Sequence, residues 1–252
     1  MLLQRWHLVP SSNGSSNKRR AFVMMPSVRD MQDTLALAIE AENTERIDEL
    51  LNAITQYSVN MKIIWGDING IHNVQSVSVA AHLLPSIFKD DPRSRIPVCW
   101  LIRAAKNGNM AMVYHMLSID QAFIRGEHHL ALCRAAYYNQ AETVKALLQD
   151  GRFDPAWANN DALTCAAMQG HLTCVNLLLD DPRVIPYDCD NRALAYAADA
   201  GHCPVVDVLM EQDGVDPRGI QDRAIRWSAK NGHFDVLRKL LSCVEVERSI
   251  RY

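Results

Sequence analysis

The sequence lacks any long apolar run, since no stretch approaches the roughly 20 residues that a membrane-spanning helix requires. It also lacks an excess of positive charge, because 26 Lys and Arg residues stand against 29 Asp and Glu residues, for a formal net charge of -3. Binding to a nucleic acid or to a membrane surface normally needs a concentrated basic surface. We therefore expect a soluble chain that binds neither nucleic acid nor a membrane.

Motifs of catalysis and metal binding are missing as well. The chain has no Gly-rich phosphate loop of the Walker type, no Gly-x-Ser-x-Gly turn and no His-Glu-x-x-His pair. His129 and Cys133 stand four residues apart, a spacing that suits two metal ligands or a His-activated thiolate on one helix face. No third ligand accompanies them. We therefore predict a protein that is not an enzyme and that has no catalytic, cofactor-binding or metal-binding residue.

Cysteine occurs seven times, an odd number, and not at the spacings of a disulfide framework. All seven lie in the repeated part of the chain, among them Cys133, Cys165, Cys174, Cys203 and Cys243. Free thiols are typical of proteins in reducing compartments. The cysteines therefore predict an intracellular, cytoplasmic protein, or one in the host-cell cytosol if the chain is a secreted effector.

Acidic residues are absent from the first 29 positions, which are rich in Ser and Asn. We expect residues 1–27 to form a disordered basic and polar tail. Three other interpretations stay open: a signal peptide, which would lack an adequate apolar core, a transit peptide, which suits the missing acids, and a nuclear signal at Lys18-Arg19-Arg20.

A period of 31 residues organises most of the remaining chain. Small-residue pairs recur at this interval, and their first members are Ala104, Ala135, Ala166, Ala197 and Ser228. In each copy an apolar helical pattern leads to a turn at Gly or Asn, a second apolar pattern follows, and a connector with Pro, Gly or Asp ends the unit. One unit cannot bury its own apolar face, so the copies should stack.

The copies also predict where helices begin and end. Asn160, Asn191 and Asp222 are of the types that cap a helix by accepting a backbone N–H bond, and we expect them to cap the first helices. Breaks between the paired helices are predicted at the glycines of three turns: Gly170, Gly201 and Gly232.

The N-terminal part follows the period less closely. Apolar positions from Leu35 to Leu51 predict a divergent first copy. Residues 52–99 should hold a second copy, with a turn at Asn69-Gly70 and an insertion that lengthens its second helix through Val74 to Ile87. We therefore expect a divergent region over residues 28–97 and regular repeats over residues 98–252.

The helix, Gly-His turn, second helix and Asp-Pro connector together resemble the ankyrin repeat, well over residues 98–242 and loosely over residues 30–97. The usual Thr-Pro-Leu-His opening is replaced, for example by Asp161-Ala162-Leu163-Thr164, and the period is shorter than usual, so the finger loops should be short. The connector Asp188-Cys189-Asp190-Asn191 looks like a divergent subtype found in large DNA viruses, amoebae and bacteria that inject effectors. The resemblance implies an all-α, ankyrin-type helical repeat solenoid of about seven repeats.

The resemblance also implies a function and a surface. Ankyrin-like proteins act as protein–protein interaction modules, so we expect a partner protein to bind in the concave groove lined by finger tips and by the ends of the first helices. In this register the partner-binding residues are Tyr137, Tyr138, Trp157, Met168, Asp188, Asp199 and Lys230. Tyr138 and Trp157 are expected to become neighbours when the repeats stack. The alternative for the aromatic residues is packing inside the stack.

Histidines follow the turn glycines at His171, His202 and His233. The resemblance implies that each ties neighbouring backbone together. One His per repeat would separate the rings by a repeat rise, which disfavours a shared zinc ion even with Cys174 and Cys203 nearby. Two other functions stay open: an enzyme or regulator with a pocket in residues 52–99, and a targeting adaptor whose signal lies in the tail. Neither the partner nor the oligomeric state can be derived from the sequence.

Overall fold

The computed structural model describes residues 28–56, 74, 76–90, 96–119 and 129–250. All regular elements in this part of the chain are helices, as predicted for an all-α repeat protein. Among the described residues, no helix is both long and apolar enough to cross a membrane. The predicted tail at residues 1–27, the predicted turn at Asn69-Gly70 and most of the 52–73 stretch lie outside the described residues.

The described residues form thirteen helices. Three come from the N-terminal part: α1 (Val28–Glu40), α2 (Thr44–Gln56) and α3 (Val77–Asp90). Five pairs follow, each with a first and a second helix: α4 (Ile96–Asn107) and α5 (Met110–Leu117), α6 (His129–Tyr137) and α7 (Ala141–Asp150), α8 (Trp157–Met168) and α9 (Leu172–Leu179), α10 (Asp188–Asp199) and α11 (Cys203–Met210), α12 (Gly219–Lys230) and α13 (Phe234–Ile250). The helix expected through Val74 to Ile87 is α3, which begins three residues later.

The turn within each pair contains a residue in the left-handed backbone region. Gly170 has a φ of 73°, and Asn139, at the equivalent position of its pair, has a φ of 58°. The N–H of His171 donates to the carbonyl of Ala166 at 3.0 Å, and the N–H of Gly170 donates to Ala167 at 3.2 Å. This pair of hydrogen bonds is the pattern that ends a helix at a left-handed residue. The breaks predicted at Gly170, Gly201 and Gly232 are therefore confirmed.

The first helices of adjacent pairs pack directly on one another. Ala166 and Ala167 in α8 have no exposed surface, and the corresponding alanines of α4, α6 and α10 are equally buried. Small side chains at these positions let the helix backbones approach closely. Ala229 of α12 occupies the same register but is exposed, since in the described part of the chain no further helix pair packs on it. The small pairs therefore act as contacts between copies.

The start of the first helices corrects the expectation that Asn160, Asn191 and Asp222 are N-caps. Their φ angles are 58°, 60° and 59°, and none of α8, α10 and α12 has a side-chain cap bond. In α8 the residues before the right-handed helix, Ala158 and Asn159, are left-handed as well. Asn adopts this conformation more readily than most residues. This left-handed turn directs the side chains of Asn160 and Asn191 to the next copy instead of to their own helix.

Candidate functional site

The first helices α4, α6, α8, α10 and α12 share one side that stays partly or fully exposed between the buried contacts of the stack. Its middle row consists of residues 31 apart: Arg103, Arg134, Cys165, Tyr196 and Trp227. One helical turn earlier lies a lower row: Cys99, Leu130, Asp161, Arg192 and Arg223. Nearly a turn later lies an upper row: Lys106, Tyr137, Met168, Asp199 and Lys230. We call these fifteen positions the first-helix face.

Residues of one row contact each other across adjacent copies. The Nη2 atom of Arg192 lies 3.1 Å from Oδ1 of Asp161 in the preceding copy. The ring centroids of Tyr196 and Trp227 are 5.7 Å apart and the rings are tilted by 56°. The lower row is therefore in contact between α8 and α10 and the middle row between α10 and α12, which makes the face one surface there.

Two arginines and two aromatic rings form the most distinctive part of this face. The Cζ atom of Arg192 lies 5.8 Å from the ring centroid of Tyr196, and that of Arg223 lies 5.0 Å from the ring centroid of Trp227. These distances are within the range of cation–π attraction. We call these four residues the arginine–aromatic cluster. Because a guanidinium carries its donors around the edge of its plane, stacking on a ring leaves donors available to another acceptor.

Sequence reasoning missed this cluster. The predicted site used the ends of the first helices and the connectors, whereas Tyr196 and Trp227 lie in the middle row. The signal was present, because the 31-residue spacing relates Tyr196 to Trp227 and Arg192 to Arg223.

Tyr137 and Tyr138, both predicted site residues, lie together at the end of α6. Their rings are 5.0 Å apart in an edge-on arrangement. Tyr138 is 40 % exposed, and the Nζ atom of Lys106 lies 4.7 Å from its ring centroid. Tyr137 is half-buried. The end of α6 therefore offers an aromatic surface next to a cation of the preceding copy.

Trp157 lies at the other end of the first helices. Its indole is 40 % exposed and stacks on the imidazole of His129, with ring centroids 3.1 Å apart and planes 22° apart. His129 is the first residue of α6 and Tyr138 follows its last, so about nine residues of helix, or roughly 13 Å, separate them. Within the described residues no ring contact joins Trp157 to Tyr138. The expected neighbourhood of Tyr138 and Trp157 is therefore not formed.

The two predicted acidic residues are both engaged in bonds between copies. Asp188 accepts a bond from Nδ2 of Asn160 at 3.1 Å, and Asp199 accepts one from Nδ2 of Asn231 at 2.8 Å. Met168 is partly exposed and Lys230 is exposed at the end of α12. Asp188 and Asp199 thus help to hold the surface together, while Met168 is partly and Lys230 fully accessible to solvent.

The turn histidines connect neighbouring copies, as the resemblance implied. The Nε2 atoms of His171, His202 and His233 lie 3.0, 3.1 and 2.9 Å from the carbonyl oxygens of Tyr137, Met168 and Asp199. In the preceding copy Gln140 replaces the histidine and donates to the carbonyl of Lys106 at 3.2 Å. Within the described part of the chain, no group of three or more His, Cys, Asp or Glu side chains is arranged to hold a metal ion.

Two further side chains form hydrogen bonds between copies that could not be foreseen. Asn160 accepts from the N–H of Ile185 at 3.2 Å and donates to the carbonyl of Ile185 at 3.1 Å. Arg152 donates to the carbonyls of Leu117 and Ile119, at 2.6 and 3.1 Å, while pairing with Asp150. These bonds fix each connector to its neighbour and so set the spacing of the first helices that carry the face.

Burial disfavours the reactive thiolate form of two cysteines near the face, Cys133 and Cys165. All seven cysteines are free. Burial, helped by the nearby Asp161 carboxylate, raises the pKa of the Cys133 thiol well above its usual range and that of Cys165 to about 11. An activated nucleophile needs the opposite shift, and the imidazole of His129 stacks on Trp157. These features do not support a His-activated thiolate at His129 and Cys133.

Comparison with known families gives an independent result. Residues 101–191 match the family model described as ankyrin repeats (3 copies), a range that covers most of α4 through the start of α10. The search of curated proteins finds no match. Ankyrin repeats are generic protein–protein interaction modules and are typically not enzymes. The matched residues, the stacked helix pairs and the histidine bonds between copies together show that residues 101–191 of this chain form ankyrin repeats.

Proposed function

We propose that this protein binds a partner protein through the first-helix face, the surface that corresponds to the concave groove expected from the family. The arginine–aromatic cluster is the observation that carries the proposal. Trp, Tyr and Arg are the residue types that most often dominate the binding energy of protein interfaces. Because Tyr196 and Trp227 are partly buried on stacked helices, their side chains lose little conformational entropy when a partner binds.

The residues predicted from the sequence extend this surface. Tyr137 and Met168 add apolar contact area along the upper row, and Tyr138 adds more just after the end of α6. Trp157 adds an aromatic contact at the other end of the first helices. Lys230 contributes a charge at the rim. Asp188 and Asp199 support the surface through their bonds to Asn160 and Asn231.

We assign the binding function to residues 98–252, which contain all the positions of the first-helix face, and we treat residues 28–97 as a divergent region that extends the stack. The connector Asp188-Cys189-Asp190-Asn191 supports a narrower role as an effector or host-interaction adaptor of a bacterium or virus. Free thiols support a reducing compartment, the cytoplasm or a host cytosol. Fractionation of cells that express a tagged chain tests the compartment, and recovery in an oxidising organelle would contradict it.

The binding surface is tested by comparing matched aromatic truncations. We expect Tyr196→Ala and Trp227→Ala to weaken capture of partner proteins by about 2 kcal/mol or more, which is roughly thirtyfold in affinity. Tyr114→Ala is the control, because Tyr114 is 60 % exposed on the second helix α5 and lies off the face. Lys230→Ala should cost about 1 kcal/mol or less.

Capture is measured by quantitative mass spectrometry of proteins retained by the immobilised chain, after thermal melting shows that each variant is folded. Unchanged capture by Trp227→Ala together with loss of capture by Tyr114→Ala would move the binding surface to the second helices. The proposal would then be wrong.

A further inference from the structure

The charge of the first-helix face is opposite to that of the chain. Six of its fifteen side chains are basic: Arg103, Lys106, Arg134, Arg192, Arg223 and Lys230. Two are acidic, Asp161 and Asp199. The face therefore carries a formal charge of +4, and since the whole chain has a net charge of -3, the remaining residues carry -7.

The two acidic side chains are already engaged. Asp161 pairs with Arg192 at 3.1 Å, and Asp199 accepts from Asn231 at 2.8 Å. In the described part of the chain, no carboxylate lies within ion-pair distance of Arg103, Arg134 or Arg223. These three arginines belong to three different first helices. At these three positions the positive charge of the face therefore has no ion-pair partner among the described residues.

We infer that the first-helix face recognises an acidic segment of the partner protein, with Asp or Glu residues set between apolar or aromatic ones. This inference rests on the proposed function, because it specifies the partner of the same surface. Carboxylates pair with guanidinium groups through two parallel N–H bonds. Tyr196 and Trp227 provide the apolar contact that lies between the charges of Arg192 and Arg223.

The dimensions of the stack also suit an extended peptide. Packed helices are about 8–10 Å apart, so the rows offer one position about every 8–10 Å. A peptide in the polyproline II conformation advances about 3.1 Å per residue with three residues per turn, so it covers that distance in about three residues and presents every third side chain on the same side. A segment that runs along the stack would meet successive copies with every third side chain. Acidic residues at about every third position match the basic positions of the face.

Single-stranded nucleic acid fits the same surface less well. It would also use stacking on Tyr196 and Trp227 and pairing with the arginines. However, Asp161 and Asp199 lie in the lower and upper rows, where a phosphate backbone that follows the stack would pass them. A carboxylate repels a nearby phosphate, whereas a peptide can place an apolar or neutral polar side chain next to Asp161 and Asp199.

The test uses a fluorescein-labelled peptide of about fifteen residues with Glu at every third position and Leu, Ser and Tyr between. Two control peptides carry Gln or Lys at the Glu positions, and a single-stranded DNA oligonucleotide of similar length is the fourth probe. Binding to the full chain is measured by fluorescence polarisation at about 50 and about 300 mM salt. We expect binding of the Glu peptide only, with affinity falling as salt rises.

Charge reversal locates the site. We expect Arg134→Glu with Arg223→Glu to weaken binding of the Glu peptide about tenfold or more. The matched control is Lys145→Glu with Arg238→Glu, which makes the same change in net charge at exposed positions on the second helices α7 and α13. The Gln versions of both pairs are measured beside them, so a misfolded reversal does not decide the result.

The outcomes separate the two proposals. The acidic-segment inference would be overturned if the two charge-reversed pairs weakened binding of the Glu peptide equally. It would also be overturned if the Gln peptide bound as tightly as the Glu peptide, or if the DNA bound more tightly than the Glu peptide. If capture of cellular partners depends on Trp227 but not on Arg134 and Arg223, the inference fails and the proposed function stands. If capture depends on none of these three residues, both are wrong.

Discussion

His202 packs against Gly170, so closely that a Cβ atom on the glycine would come within 2.5 Å of the histidine Nδ1. The same relationship recurs one copy later between His233 and Gly201, again at 2.5 Å. In each case the histidine Nε2 reaches a carbonyl at the end of the preceding first helix. Glycine is therefore required here for two reasons: a positive φ and the space that the neighbouring histidine occupies.

Gly170→Ala should destabilise the protein more than Gly232→Ala. Both glycines have a positive φ, 73° and 76°, so each alanine costs about 1 kcal/mol in backbone strain. Of these two glycines, Gly170 is the one that faces a histidine, since among the described residues nothing lies within 4 Å of a Cβ on Gly232. Overpacking should add about 1–3 kcal/mol to the first variant. Denaturant unfolding measures both values, and equal losses would mean that His202 moves aside without cost.

Ala167→Leu should cost about 1–3 kcal/mol, because Ala167 is fully buried between first helices. Ala229→Leu is the control in the same register, and its exposed position predicts a change within about 0.5 kcal/mol. Thermal melting of the two variants checks the difference. An unchanged midpoint for Ala167→Leu would contradict the close approach of α8 to its neighbours.

Asn160→Ala should lower stability by about 1–3 kcal/mol more than Asp222→Ala. The first change leaves the N–H and carbonyl of Ile185 without their side-chain partner. Asp222 shares the left-handed conformation, with a φ of 59°, but is exposed, so it reports the cost of placing alanine there. Chemical unfolding of both variants gives the comparison. Similar losses for the two would show that the bonds to Ile185 contribute nothing to stability.

Cys165 should react slowly with alkylating reagents in the folded protein. Its pKa is raised from 9.0 to about 11, mainly by burial, so near pH 8 the reactive thiolate is about a hundredfold rarer than in the unfolded chain. Mass analysis of peptides after brief alkylation, with and without denaturant, measures the two rates. A native rate equal to the denatured rate would contradict the burial of this thiol.

The same shift predicts a dependence of stability on pH. Because the thiol pKa of Cys165 is higher in the folded state, its contribution is present below about pH 9 and is lost as pH rises to about 11. Cys174, whose pKa burial also raises to about 11, acts in the same direction. Denaturant midpoints between about pH 8 and 10.5 should fall less in Cys165→Ala than in the unmodified protein. An identical fall in both would exclude this thiol as a cause.

Local chemistry repeated at a fixed interval made much of the fold predictable. A left-handed residue ends each first helix, and only Gly and Asn adopt that conformation at low cost, so the turns at Asn139 and Gly170 could be recognised. The small residues at the helix contacts and the histidines after the turns could be recognised from the same interval. The interval relates one copy to the next, and the prediction that the copies stack followed from it.

The left-handed turn at the start of α8 could not be predicted in this way. An Asn before an apolar helical pattern is usually an N-cap, and nothing local distinguishes Asn160 from that case. Its conformation is stabilised by bonds to Ile185, which lies 25 residues away in the next connector. The partner is brought there by stacking.

The candidate site, like the fold, could be predicted from the sequence only in part. Composition and register were sufficient to place aromatic and charged residues on one exposed side, because exposure on a helix follows its period of 3.6 residues. Which of them meet depends on the direction and offset of neighbouring helices: Tyr138 and Trp157 lie at opposite ends of the first helices, whereas Tyr196 and Trp227 are in contact. The sequence by itself thus determined the repeat, its turns and its exposed positions, since these depend on backbone preferences within one copy. Only the tertiary structure decided which side chains join across copies, because those contacts depend on the distances and angles that stacking imposes.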